Sequence, residues 1–465
     1  MLNAQTDPLS DGPWSTWLVR GLQRPLGPHD RARAALHLVD WLGCAFAGQA
    51  TPEAEPLKRW AEQLAPGPIW ACGRAGLQAS DAARFHGSLG SLLELDDVHR
   101  EAVVHPGDTV MPAALALAQR LGSSASELLD ALVVGYEAGI RLGLLAGPAH
   151  YRHWYSTATT GTFASAMACA RLLQLDATQT VHALALAGMQ AAGVWQCRME
   201  PGLAKQVAAG HSTQAGLAAA ELAAAGATGP ASILEGEHGW LQATGSLPST
   251  AHAQQCLLPT PDQPWLMHRV SFKPWPACRH VHPVIACALQ AHAQGVDADQ
   301  VISLHVQTYQ VALTFADQPW PTTAYQARFS VQHALAWGLL HGGFGLEASS
   351  AEGLRQPAVA ALRARVTLSL DAEHERAYPQ RFGASLSVVL QGGQQLQFQQ
   401  NHALGDPEWP MSDEAVQAKA LGLLEAAGLA APQAQALVAQ TLALPASADL
   451  GPWWAQLHAC SVSSD

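Results

Sequence analysis

At 465 residues the chain exceeds the ~250–300 that a single hydrophobic core sustains, so two domains are expected. With 49% hydrophobic and only 13% charged residues, the composition is globular and excludes a disordered chain. A net charge of −12 with no run of Lys and Arg excludes a broad nucleic-acid surface, although it leaves room for one cationic pocket.

The start, Met1–Trp14, is polar, carries Asp7 and Asp11, and lacks the basic start and apolar centre of a secretion signal. No later stretch reaches the ~18 apolar residues that span a bilayer, so a cytoplasmic protein without a membrane partner is expected. The eight cysteines (44, 72, 169, 197, 256, 278, 287 and 460) form no CxxC pair and read as reduced thiols. Over Arg31–Gln49, Ala35, Leu36, Val39, Leu42, Ala45 and Phe46 recur at steps of three and four, the pattern of a helix with one buried face. Further helices are expected over Ser80–Leu95, from Pro112 to Leu121, and over Ser126–Leu145, where Glu137 and Arg141 are spaced to pair. Gly161–Leu173, Gln179–Ala192 and Ser212–Ala225 follow as small-residue helices, and the abundance of Ala favours an all-helical body.

Near Trp265 the texture changes. Arg269–Phe272 and Val301–Tyr309 bring β-branched residues and alternation, and Val366–Leu370 and Ala384–Gln391 read as strands. Gly392-Gly393 turns the chain into Gln394–Gln399 as a hairpin. From Asp413 the pattern is helical again. The expected organisation is a mainly α protein. A large helical domain is formed by residues 1–266 and 403–465, and a smaller α+β domain is inserted over 267–402.

Four polar clusters stand out. Glu94-Leu95-Asp96-Asp97-Val98-His99, followed by His105-Pro106-Gly107, gathers carboxylates and imidazoles that can exchange a proton near neutral pH; a solvated helix end is the plain alternative. His153-Trp154-Tyr155-Ser156-Thr157 leads through Thr159-Thr160 into Gly161, a helix start able to hold an anion or simply an N-cap. Lys205 is a single cation amid Ala and Gly, either a cleft lysine or a surface one. Lys273-Pro274-Trp275-Pro276-Ala277-Cys278-Arg279-His280-Val281-His282 packs charge and prolines at the proposed junction, as a binding segment or a stiff linker.

These segments, taken in order, resemble the MmgE/PrpD family of 2-methylcitrate dehydratases, cis-aconitate decarboxylases and iminodisuccinate epimerases. The likeness runs through Leu95–His99 with His105-Pro106, Gly135-Tyr136-Glu137 with Arg141, and Thr157–Phe163. It continues through Lys205–Gly210, Gly229–Gly236, Lys273–His282 and Ala327–Ser330, covering roughly residues 30 to 430. The resemblance implies a homodimer and catalysis without metal or organic cofactor. It also implies that His105 is the catalytic histidine, that Lys205 and Lys273 are site lysines, that Asp96 is the site aspartate, and that His282 follows the family's Cys-Arg pair, here Cys278-Arg279. Tyr155 stands where the family usually has a catalytic histidine, with His153 two residues before it; His211 stands where arginine is common, and no tyrosine occurs at Phe315.

The implied chemistry forms an anion beside carboxylates that are already negative. Lys205, Lys273 and Arg279 supply positive charge, His105 or Tyr155 moves a proton, and Asp96, His99, His153 and His282 bind or orient. A lyase (dehydratase or decarboxylase) acting on a small di- or tricarboxylate is the leading expectation. An epimerase of a dicarboxylate such as iminodisuccinate is the runner-up, and a non-catalytic carboxylate-binding protein is a third reading. A zinc enzyme rests only on the short pair His280 and His282, too few ligands for that metal.

Overall fold

In the computed structural model, residues 12–461 are described, Pro201 and Pro261 excepted; the polar start Met1–Asp11 lies outside them. The chain forms two compact units, one of Met1–Leu92, Asp96–Val270 and Ser412–Asp465, the other of Leu93–Leu95 and Ser271–Met411. The change-overs thus fall at 270/271 and 411/412, against expected positions of 266 and 402.

The first unit is helical, though not wholly so as expected, since Pro66–Ile69 is a short strand bridged to Leu77. Its main helices are α1 (Trp14–Leu22), α2 (Pro28–Gln49), α3 (Ala79–Gly87), α4 (Gly107–Leu121), α5 (Ala125–Tyr151), α6 (Ser156–Leu172), α7 (Ala177–Gly188), α8 (Ala204–Ala224) and α9 (Thr250–Leu257). Small residues decide how these helices pack. A Cβ on Gly216 of α8 would lie 2.5 Å from Ser165 Cβ of α6, and one on Gly161 would lie 2.5 Å from Thr109 Cγ2 of α4. Glycine at these points lets the backbones approach where larger residues would force them apart. Several helix boundaries differ from expectation, three of them at the candidate site. The helix expected to reach Leu95 ends at Gly87, and turns carry the chain on to the acidic cluster. The helix expected from Pro112 begins five residues earlier, at Gly107, with Pro112 inside it. The helix expected from Ser212 begins at Ala204, which places Lys205 on its first turn. No described helix is long and apolar enough to cross a membrane.

The second unit is α+β. Helices α10 (His282–Ala293) and α11 (Val331–His341) accompany a four-stranded sheet of β1 (Val301–Thr308), β2 (Val366–Leu370), β3 (Ala384–Leu390) and β4 (Gln395–Gln400), in the order β2-β1-β3-β4. β1 pairs parallel with β2 and antiparallel with β3, with Val306 opposite Leu368 and Leu386. Leu304, Val306, Leu386, Val388 and Phe398 bury one face against Val284, Ile285 and Ala288 of α10, which explains the alternation in the sequence. Arg269–Phe272 is not a strand of this sheet; Leu266–Arg269 is a turn of 3₁₀ helix. The chain then returns to the first unit through α12 (Asp413–Ala426), α13 (Ala431–Ala443) and α14 (Gly451–Ser461), with α12 laid along α2.

Burial gives this first unit a defined acid sensitivity. It pushes His37 and His150 down to about 4 and His86 and His99 down to about 3. In the unfolded chain these imidazoles take protons near pH ~6.5. Burial also raises Asp40 to about 6 and Asp108 well above the ordinary carboxylate range, so the folded state binds more protons at these two groups. Four histidines against two carboxylates leave the unfolded state the larger proton binder between pH ~4 and ~6.5, so stability rises with pH there, by about 1.4 kcal/mol per unit for each net proton. The urea midpoint should therefore fall as the pH is lowered from neutral toward 4.5; a flat or rising midpoint means that these imidazoles are not held neutral.

Candidate active site

The two aspartates of the Asp-Asp pair do different work. Asp97 is a structural anchor: its carboxylate accepts from His37 Nδ1 at 2.7 Å, from the Tyr136 hydroxyl at 2.8 Å and from the Gly107 N–H at 3.0 Å. Arg33 Nε lies 3.1 Å from His37 Nε2, which fixes the proton on Nδ1. The glycine after His105-Pro106 is needed here, because a Cβ on Gly107 would lie 2.8 Å from Asp97 Oδ1 and 2.9 Å from the Tyr136 hydroxyl.

Asp96 instead meets His105, with Oδ2 2.5 Å from His105 Nδ1. His105 Nδ1 also lies 3.0 Å from the Asp97 carbonyl oxygen; with two acceptors beside it Nδ1 carries the hydrogen, which leaves Nε2 to exchange a proton. The backbone of His105 is fixed separately, its N–H donating to Thr157 Oγ1 at the start of α6 over 3.1 Å. The turn that delivers it is tight: His99 and Val104 exchange backbone hydrogen bonds, and Val103 adopts φ 51°, unusual for a β-branched residue. His99 closes this turn, accepting from the Ala102 N–H at 3.2 Å, and is kept neutral by burial, with Arg269 and Arg100 adding to the effect.

Around this pair the same unit gathers Tyr155, Lys205 and Asp108. Tyr155 caps α6, its N–H donating to Gly193 O at 2.9 Å, and the Trp195 ring stacks on it at 4.7 Å and 16°. Lys205 Nζ lies 6.0 Å from the centre of the Tyr155 ring. Burial raises the Tyr155 phenol well above its ordinary value, and Lys205 and Thr157 oppose this only in part. Tyr155 therefore keeps its proton, which makes it an acid or a neutral donor rather than a base. The hydroxyls that follow are committed to the protein: Thr160 donates to Ser156 O at 2.8 Å and Thr162 to Ala158 O at 3.0 Å. His153 is exposed, and its carbonyl accepts from the Trp195 N–H at 2.8 Å.

The sequence reading missed two features of this cluster. Asp108, three residues beyond His105, is fully buried beside Asp96 and Lys205, and burial lifts its carboxyl well above the usual range. Lys419 of α12, a lone lysine in an Ala-rich helix, reaches Asp40 of α2 at 2.7 Å. Its signal was that isolation, the same signal that singled out Lys205.

In the second unit Lys273 is fully buried, with Nζ 3.9 Å from Glu94 Oε2. Arg279 is held by Asp406 at 2.6 Å and by Leu404 O at 2.9 Å, and its Nη1 lies 3.1 Å from His282 Nδ1. His282 Nε2 lies 3.0 Å from Ala277 O. Asp406 also accepts from the Ser271 hydroxyl at 2.7 Å and thereby ties two distant stretches together; nothing in the sequence pattern marked it. A tyrosine does stand near Phe315 in space, because His280, which stacks on Phe315 at 5.2 Å, meets the Tyr309 hydroxyl at 2.6 Å. Among the described residues no group of three or more His, Cys, Asp or Glu is disposed to hold a metal ion.

Comparison with known proteins places the chain in a family. The family model of the MmgE/PrpD N-terminal domain matches residues 24–251 and that of the MmgE/PrpD C-terminal domain matches residues 275–444. The chain is 31% identical over 226 residues to the cis-aconitate decarboxylase-like protein oryM of Aspergillus oryzae, a match covering 46% of each chain. It is 29% identical over 218 residues to the cis-aconitate decarboxylase of Aspergillus terreus, covering 44% of each. The match thus spans less than half the length of either fungal relative. Against the human cis-aconitate decarboxylase identity is 25% over 406 residues, covering 83% of this chain and 82% of the relative. The two domain matches together take in most of the sequence, and the chain belongs to the MmgE/PrpD family.

Proposed function

We propose that the protein is a lyase that acts, without metal or organic cofactor, on a small tri- or dicarboxylate through a carboxylate-stabilised carbanion, with decarboxylation of cis-aconitate or a close analogue as the leading reaction. The observation that carries this reading is the Asp96–His105 pair, 2.5 Å apart, in one cluster with Lys205 and Tyr155. Relatives named as cis-aconitate decarboxylases support the reaction class. In a decarboxylation the carbon–carbon bond to a carboxylate breaks, CO2 leaves, and the electron pair left behind spreads into the remaining conjugated carboxylate system. His105, steadied by Asp96, protonates the carbon. Lys205 offsets the growing negative charge in a site poor in water, where a fixed cation acts most strongly. His99 and His153 are assigned to the periphery of this cluster.

The test is proton NMR of the purified protein in deuterated water with cis-aconitate, citrate, methylcitrate, malate, tartrate and an aspartate-derived imine. Loss of cis-aconitate with deuterium entering the new product supports the reading. A panel that stays intact while some members raise the melting temperature favours a binding protein instead.

Epimerisation is the second reading, favoured by one observation. Tyr155, an acid that retains its proton, and His105 share a cluster, and exchange on two faces needs two such groups. Deuterium exchange at a carbon beside a carboxylate without any new product identifies it. On this second reading Tyr155→Phe should lower kcat about 10²-fold, the scale of one general acid; unchanged kcat removes Tyr155 from the chemistry.

A further inference from the structure

Asp108 is the group the mechanism leaves unexplained. It lies in the first turn of α4 with no exposed surface; neither carboxylate oxygen has a hydrogen-bond partner of good geometry, the Ser91 hydroxyl being a neighbour that interacts with it more weakly. A side chain at Gly90 would collide with Oδ1, so the surrounding backbone is closely fitted to it. Buried polar atoms without partners are rare, and each asks for a reason. The groups that face Asp108 come from several elements. They are Asp96 and Asp97 from the preceding loop, Ser91 beyond α3, Cys44 of α2, Tyr136 of α5, Tyr155 at the start of α6 and Lys205 of α8. On α3, His86 is buried and neutral.

Two effects decide its charge. The N-terminal end of α4 favours an anion, but only modestly. Burying a carboxylate with no ion pair in direct contact is far costlier, the nearby Asp96 and Asp97 add repulsion, and Lys205 and the Ser91 hydroxyl offset this only in part. The second effect is larger. The consequence is electrostatic. Asp40 is matched by Lys419, and Asp97 by Arg33 at one remove through His37. Asp96 and Asp108 then face Lys205 and His105. If Asp108 were ionised, that set would be neutral at best before an anionic substrate arrived. With Asp108 neutral, protonation of His105 leaves one positive charge.

We propose that Asp108 is a positioning residue held as a neutral carboxylic acid, which keeps the Asp96–His105–Lys205 cluster from repelling a polyanionic substrate. The proposal deepens the lyase reading and rests on it only for its effect on substrate.

The protonation state can be tested without any substrate. Infrared spectra of the wild type are recorded at about pH 7.5, above the value of about 6 to which Asp40 is raised, with and without 13C-labelled aspartate. A protonated-carboxyl band that shifts on labelling and is missing from Asp108→Asn is expected. Its absence from the wild type, or its persistence in Asp108→Asn, overturns the proposal. Should Asp108→Asn fail to fold, the labelled wild-type band decides alone. The second readout is the KM for cis-aconitate across alkaline pH. Ionisation of Asp108 should raise the wild-type KM about tenfold per unit once that group titrates, and the rise should vanish in Asp108→Asn. A purely structural role would leave the two pH profiles parallel, and that result also overturns it. A protein that turns over no carboxylate refutes the lyase reading and leaves the infrared answer standing.

Discussion

His105→Gln should lower kcat by about 10²–10⁴-fold while the protein remains folded. The two halves of that expectation have separate causes. The fold should survive because His105 is anchored through its backbone, which donates to Thr157 Oγ1, while its side chain keeps 14% of its surface exposed. Turnover should fall because glutamine cannot shuttle a proton near neutral pH, and no neighbour replaces it. His99 is held neutral in its turn, and Tyr155 holds its proton too tightly to act as a base. Asp96→Asn should give a smaller loss, since it removes the carboxylate that orients the ring and leaves the ring in place. Steady-state kinetics beside circular dichroism checks both halves, and a kcat within about tenfold of wild type would exclude His105 as the proton-transfer group.

The largest stability effect should come from Glu137, far from the chemistry. Its side chain has no exposed surface and binds three partners: Arg24 Nη2 at 2.8 Å, Arg141 Nε at 2.8 Å and the Leu266 N–H at 2.6 Å. The two arginines extend the network, Arg24 to Gln263 O and Arg141 to Cys256 O, each at 2.5 Å. One carboxylate thus fastens the segment after α1, the middle of α5 and the stretch after α9. Glu137→Ala leaves Arg141 buried and unpaired, and breaking a buried pair from one side costs about 3–5 kcal/mol. The double variant Glu137→Met with Arg141→Met should cost less, because only Arg24, at 12% side-chain exposure, must then find water. Urea unfolding of the three proteins makes the comparison. A Glu137→Ala loss below about 1 kcal/mol, or a double variant less stable than the single, contradicts this account.

The sequence by itself determined the architecture, and physical regularity explains why. The steps of three and four over Arg31–Gln49 and the alternation over Val301–Tyr309 follow directly from one-sided burial, and the structure has α2 and β1 there. The Glu137–Arg141 pair was legible for the same reason, since four residues on a helix bring two side chains together. Helix ends were less legible. Ser80–Leu95 keeps an apolar content that suits a helix, yet the chain leaves α3 at Gly87 and buries those residues in turns.

Only tertiary structure decided the division of labour among the charged residues. Asp96 and Asp97 are equivalent neighbours in the sequence, and one becomes the partner of His105 while the other disappears among His37, Tyr136 and Gly107. Their partners lie on other elements, up to 60 residues away in the case of His37, and local pattern carries no information about such pairings. Tyr155 and Asp108 have their properties from burial, which depends on the packing of α4, α6 and α8 rather than on their own neighbours in the chain. Lys419 meets Asp40 only because the end of the chain returns to lie along α2. The sequence thus determined which residues carry charge and which helices and strands hold them; three-dimensional packing decided which charges are paired, which are neutral, and which remain for chemistry. The physical reason is that ionisation depends on solvent access and on partners distant in the chain, both of which are set only when the helices close on one another.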